Sequence, residues 1–213
     1  MLPKLMIWDW NGTILDDWKL CFDLENELLE ERGMKTITKE WYLGHFSFPI
    51  KAYYRMMGYT FETESYEHVT EIFMERYNAR YQTCALRSGV TAVLEKAKAK
   101  GIPQTLLSVT QQDDLIRQTE RLGVAQYFTD ILGQTDILGH SKIARAKAYM
   151  EANGIGPETA LFIGDTDHDA EAAKTVGCKC VLLAGGHQSK AVLNRCGVPV
   201  FDTVEELWER IER

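Results

Sequence analysis

Four short stretches of this chain carry the side chains that could do chemistry. Asp9 and Asn11 follow an apolar run, Leu5-Met6-Ile7-Trp8, with Gly12 behind them as a turn residue. Ser108 and Thr110 close a second run, Thr105-Leu106-Leu107. Gly164-Asp165-Thr166-Asp167-His168-Asp169 follows a third, Ala160-Leu161-Phe162-Ile163, and Lys142 stands between the last two at the start of a helical stretch. Carboxylates that converge on one point repel each other and need a cation. Mg²⁺ suits an all-oxygen site that handles phosphate, and a lysine and a serine can then hold phosphoryl oxygens that the metal does not reach. Singly, each group has a plainer use: an aspartate at a strand end commonly caps a helix. Their order and matching context carry the signal.

For these groups to meet, the runs must be neighbouring strands, because an open α/β sheet places its ligand site beyond the carboxyl ends of its strands. From Gly89 onward the pattern supports this. Helical faces at Val90–Ala97, Leu115–Leu122, Ile143–Met150, His168–Val176 and a terminal helix to Ile211 alternate with strand-like runs at 105–109, 131–132, 160–163, 180–183 and 198–201. Such alternation implies a mostly parallel, Rossmann-like sheet with helices on both faces. Between about Asp16 and Gln82 the texture is helical throughout. Leu20, Leu24 and Leu28 repeat every four residues, Trp41 and Tyr42 sit in a second helix, and Pro49 opens a third. Tyr66, Val69, Phe73 and Tyr77 line a fourth. The expected organisation is an α/β core of residues 1–15 and 85–213 with an inserted all-helical cap of residues 16–84.

Composition excludes several classes. At 213 residues the chain is one large domain or a domain plus an insert. With 24 Lys and Arg against 31 Asp and Glu, the net charge of −7 disfavours a nucleic-acid partner held by bulk electrostatics. No apolar stretch is long enough to span a membrane, and the first residues lack the pattern of a signal peptide, so the cytoplasm is the expected location. The five cysteines include Cys178 and Cys180 but no zinc-knuckle spacing. Neither a phosphate-binding G-x-x-x-x-G-K-[ST] loop, a G-x-G-x-x-G turn nor a G-x-S-x-G elbow is present.

On these motifs the chain resembles the haloacid dehalogenase-like hydrolase superfamily, in the branch related to phosphoglycolate phosphatases. The resemblance rests on Asp9-Trp10-Asn11-Gly12-Thr13, Ser108 after Leu106-Leu107, Lys142 in His140-Ser141-Lys142, and Gly164 through Ala170. It implies that Asp9 is the nucleophile and a Mg²⁺ ligand, and that Asn11 offers its backbone carbonyl to the metal. It further implies that Ser108 and Lys142 bind the phosphoryl group and that Asp165 and Asp169 complete the metal site. The expected activity is a Mg²⁺-dependent phosphomonoester hydrolase working through an aspartyl phosphate on a small phosphorylated metabolite. The segment Gly185-Gly186-His187-Gln188-Ser189 also resembles what some relatives carry after their next strand, without an evident role.

One departure matters. Relatives usually carry Asp where this chain has Asn11, and that Asp gives and takes a proton. An amide cannot. Asp9 can still attack phosphorus, because that needs only an ionised carboxylate near a cation, but hydrolysis of the aspartyl phosphate should slow unless a base such as His45 or His187 helps. The alternatives are therefore a weakly active or inactive relative that binds phosphorylated ligands or a protein, and a dehalogenase, phosphonatase or phosphotransferase using the same Asp. A phosphonatase would want a cap lysine, for which Lys19, Lys39 and Lys51 are available. Arg55, Arg76 and Arg80 are candidates to meet a second anionic group on the substrate, the last two spaced i, i+4. Oligomeric state is not legible in the sequence.

Overall fold

A computed structural model describes residues 2–134 and 142–213 of the chain. The first strand, β1 (Leu5–Trp8), leads through a turn to the two-residue β2 (Leu15–Asp16). Four helices follow: α1 (Trp18–Glu31), α2 (Lys39–His45), α3 (Ile50–Met56) and α4 (Tyr66–Arg80). The chain returns through β3 (Ala85–Leu86), which pairs antiparallel with β2, Leu15 opposite Leu86 and Asp16 opposite Ala85. This ribbon is the stem on which the helical insert stands. The rest alternates: α5 (Val90–Ala99), β4 (Gln104–Gln111), α6 (Gln112–Arg121), β5 (Asp130–Gln134), α7 (Lys142–Ala152), β6 (Ala160–Gly164), α8 (Asp167–Val176) and β7 (Lys179–Leu183). A short α9 (Lys190–Leu193), β8 (Val200–Phe201) and α10 (Val204–Glu212) complete it.

The main sheet has the order β5-β4-β1-β6-β7-β8, with every pairing parallel. Its central strands β1 and β6 are buried on both faces, as parallel strands under crossover helices must be. Alternate residues divide between two cores. Met6, Trp8, Leu106, Leu161 and Ile163 pack with Val93 and Leu94 of α5, Leu115 of α6 and Leu207 and Trp208 of α10. Leu5, Ile7, Leu107, Ala160 and Phe162 point the other way, onto Ala146 and Met150 of α7 and Ala173 and Val176 of α8. The strand period of two thus builds the helix–sheet–helix layering.

The inserted helices have a core of their own. Cys21, Leu24 and Leu28 form one face of α1 and bury against Tyr42, Tyr53, Tyr54, Val69 and Tyr77. Thr38 and Ser65 begin α2 and α4 by accepting hydrogen bonds from the backbone N–H groups of Trp41 and His68. The aromatic stripe of the sequence divides: Val69 and Tyr77 are buried, while Tyr66 and Phe73 are half-buried and border a cavity over the sheet. Among the described residues no helix is long and apolar enough to cross a membrane.

Candidate active site

Because β1 lies between β4 and β6, the carboxyl ends of these three strands adjoin, and the residues just beyond them meet. Asp9 leaves β1 with its N–H donated to the carbonyl of Ile163 at 2.9 Å. Asp165 follows β6, and Asp169 lies in the first turn of α8. Carboxylate oxygens of Asp9, Asp165 and Asp169 lie within 4.8 Å of one another, and all three residues are buried. Lys142, the first residue of α7, places its ammonium 2.6 Å from Asp9 Oδ1 and 2.6 Å from Asp169 Oδ1, over the ring of Phe162. Asp169 Oδ2 also accepts from the Thr166 hydroxyl and from the N–H groups of Asp165 and Thr166. Asp165 accepts from the Thr13 hydroxyl at 2.9 Å and from the N–H of His187 at 2.7 Å.

One ammonium does not balance three carboxylates. Burial pushes the Asp9 carboxyl up to about 7, Lys142 pulling against it and Asp169 and Asp165 adding to it. Burial likewise lifts Asp165 to about 6, against the pull of His187. Burial also opposes the charge on Asp169, but Lys142 and the Thr166 hydroxyl prevail and hold it below its ordinary value. An all-oxygen cluster with excess negative charge is what a hard divalent cation fits. Asp9, Asp165 and Asp169 are the residues that could hold one.

Asn11 faces away from proton chemistry. Its amide N–H₂ donates to Asp17 Oδ2 at 2.7 Å and lies 2.9 Å from the Tyr77 hydroxyl, and its carbonyl accepts from the Thr110 hydroxyl at 2.8 Å. Thr110 is in turn bonded to Ser108 through both hydroxyl and backbone. Ser108 is fully buried, and Thr110 rather than Ser108 borders the cavity. Asp17 was not singled out in the sequence, yet it organises this corner. It accepts from the Gly12 N–H, Asn11 and the Tyr77 hydroxyl, and it lies 3.3 Å from His187 Nε2. Burial opposes its charge, but the His187, Asn11 and Tyr77 hydrogen bonds hold it below the usual carboxylate range. For His187, burial alone would lower the ring, but the bond and charge of Asp17, with Asp165 behind it, push it up to about 9.

The segment Gly185–Ser189 receives the helical insert. His187 Nδ1 lies 2.7 Å from the Tyr42 hydroxyl, and its ring stacks on Phe46. Gln188 donates to the Phe46 carbonyl, and Ser189 N–H donates to the Leu43 carbonyl. On the other side Gln188 accepts from the N–H of Asp167 at the start of α8. Gly12 permits this crowding. Its φ is +71°, and a Cβ there would collide with Asp165 and His187. Arg87 pins the same turn by donating to the Gly12 carbonyl at 2.8 Å and to the Ala184 carbonyl.

Other candidates lie elsewhere. His45 is exposed, stacked on Trp41 and bonded to the Trp41 carbonyl. Arg76 is occupied by Glu31 and Arg80 by Glu27, and Arg55 is exposed. Lys19 pairs with Asp23, Lys39 lies over Trp18, and Lys51 lies over Tyr66 near Glu67. None of these seven residues borders the cavity. Cys178 and Cys180 are free thiols. His140 and Ser141 lie outside the described residues.

Over 97% of its length the chain is 28% identical to the phosphoglycolate phosphatase of Pseudomonas fluorescens (strain Pf0-1), covering 79% of that protein. The haloacid dehalogenase-like family hydrolase of Streptococcus pneumoniae shares the fold with a TM-score of 0.82 at 16% identity, over 97% of both chains. The Protein Tyrosine Kinase A of Mycobacterium tuberculosis shares it at 0.80 and 21%, over 99% of this chain and 98% of that one. The family model described as haloacid dehalogenase-like hydrolase matches residues 6–183, a span that runs from β1 through β7 and takes in all three carboxylates, and the chain belongs to that family.

Proposed function

We propose that this hydrolase cleaves phosphomonoesters of small metabolites in a Mg²⁺-dependent reaction through a phosphoryl group carried on Asp9. The observation that carries the reading is the convergence of the Asp9, Asp165 and Asp169 carboxylates, with the Lys142 ammonium bridging Asp9 and Asp169 at the floor of an open cavity. Mg²⁺ held by Asp9, Asp165, Asp169 and the Asn11 backbone carbonyl would supply charge neutralisation for the phosphoryl oxygens. A carboxylate oxygen of Asp9 forms the new bond to phosphorus, and the bond to the leaving oxygen breaks with its electron pair. Lys142 favours the ionised form of Asp9 and holds a phosphoryl oxygen, while Thr110, held in place by the Ser108 hydroxyl, supplies a hydroxyl contact. Water then attacks phosphorus and releases phosphate, restoring Asp9. Asn11 spends its amide on Asp17, Tyr77 and Thr110, so it positions this corner and moves no proton.

The test is a panel of phosphate esters, phosphonates and haloacids, each with Mg²⁺ and with chelator. Hydrolysis of an aryl phosphate that disappears with chelator and returns with Mg²⁺ supports the reading. Turnover confined to haloacids or phosphonates, or no ester hydrolysis at all, overturns it.

A further inference from the structure

The cavity above the carboxylates encloses about 650 Å³, far more than a phosphate on a two-carbon acid would fill. Its outer wall belongs to the helical insert and is mostly aromatic: Phe46, Phe48, Tyr54, Tyr66 and Phe73 border it, with Met74 beside them. Among the described residues that border it, the basic side chains are Lys142, His168 and His187. Lys142 is already shared by Asp9 and Asp169, and His187 is engaged by Asp17 and Tyr42. His168 stacks on Phe48. The arginines that could meet a second anion point to the surface, two of them to glutamates. Two acids of the insert also border the cavity: Asp17, bonded by His187, Asn11 and Tyr77, and Glu25, bonded by the Tyr53 hydroxyl. Burial raises Glu25 to about 8, so near neutral pH it is largely uncharged.

Building on the phosphomonoesterase reading above, we propose that the substrate is a phosphate ester of an uncharged, aromatic alcohol. A carboxylate on the leaving group would be desolvated against ring faces without a guanidinium or ammonium to meet it, which is costly. An aromatic group there instead gains area burial and offset or edge contacts. The phosphoryl end lies over Lys142 and the carboxylates, and the ring lies against Phe73 and Phe48.

The decisive comparison holds the leaving-group chemistry constant. Benzyl phosphate and phosphoglycolate both release an alkoxide, so the lack of a proton donor at Asn11 weighs on both. With Mg²⁺ and the full chain, benzyl phosphate should show kcat/KM at least about tenfold higher, expressed mainly in KM. Calorimetry with the non-hydrolysable benzylphosphonate and phosphonoacetate gives a readout free of turnover, and the same order is expected. Ester hydrolysis that favours phosphoglycolate, or phosphonoacetate binding as tightly as benzylphosphonate, overturns the proposal while leaving the hydrolase reading intact. Absence of ester hydrolysis overturns the hydrolase reading and the substrate assignment with it, whichever phosphonate binds more tightly. Phe73→Ala should weaken benzylphosphonate at least about threefold without weakening phosphonoacetate. Should that variant fail to fold by circular dichroism, Phe48→Ala serves in its place. Equal loss of both ligands in the folded variant overturns the placement of the ring.

Discussion

On the sheet side of the cavity, polar side chains are committed to one another. Lys142 bridges Asp9 and Asp169, and Asp165 is gripped by Thr13 and His187. On the cap side the wall is mostly rings; of the two buried acids that border the cavity there, Glu25 is neutralised by burial and Asp17 is bonded by His187, Asn11 and Tyr77. The two sides also differ in what supports them. The carboxylates stand at the ends of fully buried parallel strands, where β1 and β6 hold Asp9 and Asp165 in register. The aromatic wall stands on four helices joined to the core by a two-residue ribbon and by the contacts of His187, Gln188 and Ser189. Rigid strand ends suit a reaction that tolerates little misplacement. A separately packed insert can change its lining without disturbing them, so the floor should govern whether chemistry happens and the wall which molecule undergoes it.

Removing the reacting oxygen at the floor is the largest expected effect. Asp9→Asn should lower kcat/KM on aryl phosphate by at least about 10³-fold. Its fold should persist, because an amide in that buried place no longer carries the charge that burial opposes. Residual turnover within tenfold of wild type would take the nucleophile away from Asp9. Next comes the cluster. Asp165→Asn exchanges a charged oxygen for a neutral one and should weaken Mg²⁺ binding by about 10²-fold in calorimetric titration. Unchanged affinity would place the metal elsewhere.

How far these two sides could be foreseen differs in the same way. The floor is legible because each of its groups directly follows a run of apolar residues, and strand-end position is a local signal. Asp9 after Leu5–Trp8 and Asp165 after Ala160–Gly164 needed only the rule that parallel strands align their ends. The insert's helices were legible too, through the leucines of α1 and the aromatics of α4. What escaped notice is long-range. Asp17 reads as one of two acids ahead of a helix, and nothing local shows that Tyr77 and His187 close on it from sixty and more residues away. The ribbon of β2 and β3 is too short to show a period of two. Arg76 and Arg80 displayed their spacing but not their partners, Glu31 and Glu27, which lie on a different helix. Ser108 was visible, while the interposed Thr110 required the strand's geometry.

The border between floor and wall is Asn11, and a substitution there sharpens the comparison with a smaller effect. Asn11→Asp should restore a group able to protonate an alkoxide. The ratio of alkyl to aryl kcat/KM should rise by about tenfold or more, within the range that general acid–base catalysis supplies. The new carboxylate would face Asp17 at the distance Asn11 now spans with a hydrogen bond, and that repulsion favours its protonated form. A flat ratio, with wild type already cleaving alkyl esters at ordinary rates, would assign the proton to another group.

The smallest effect on turnover, and the cleanest on stability, belongs to the wall. Glu25 is raised from 4.5 to about 8 by burial, against the Tyr53 hydrogen bond and the charge of His187. The folded state therefore keeps this proton at pH values where the unfolded chain has released it. Such a group costs nothing below the ordinary carboxylate range and increasingly more as pH rises toward about 8. Glu25→Gln keeps the shape and an oxygen to accept from Tyr53 but does not titrate. It should match wild type near pH 5 and exceed it by roughly 2–4 kcal/mol near pH 8, read from denaturant unfolding at both values. The groups around it stay constant across that window. Burial holds Cys21, Tyr53 and Tyr54 neutral. His187, at about 9, remains protonated. A variant equally displaced at both pH values would show that Glu25 is ionised in its wall. The cavity would then present a standing negative charge to the leaving group, a condition that excludes anionic alcohols even more firmly than the aromatic lining does.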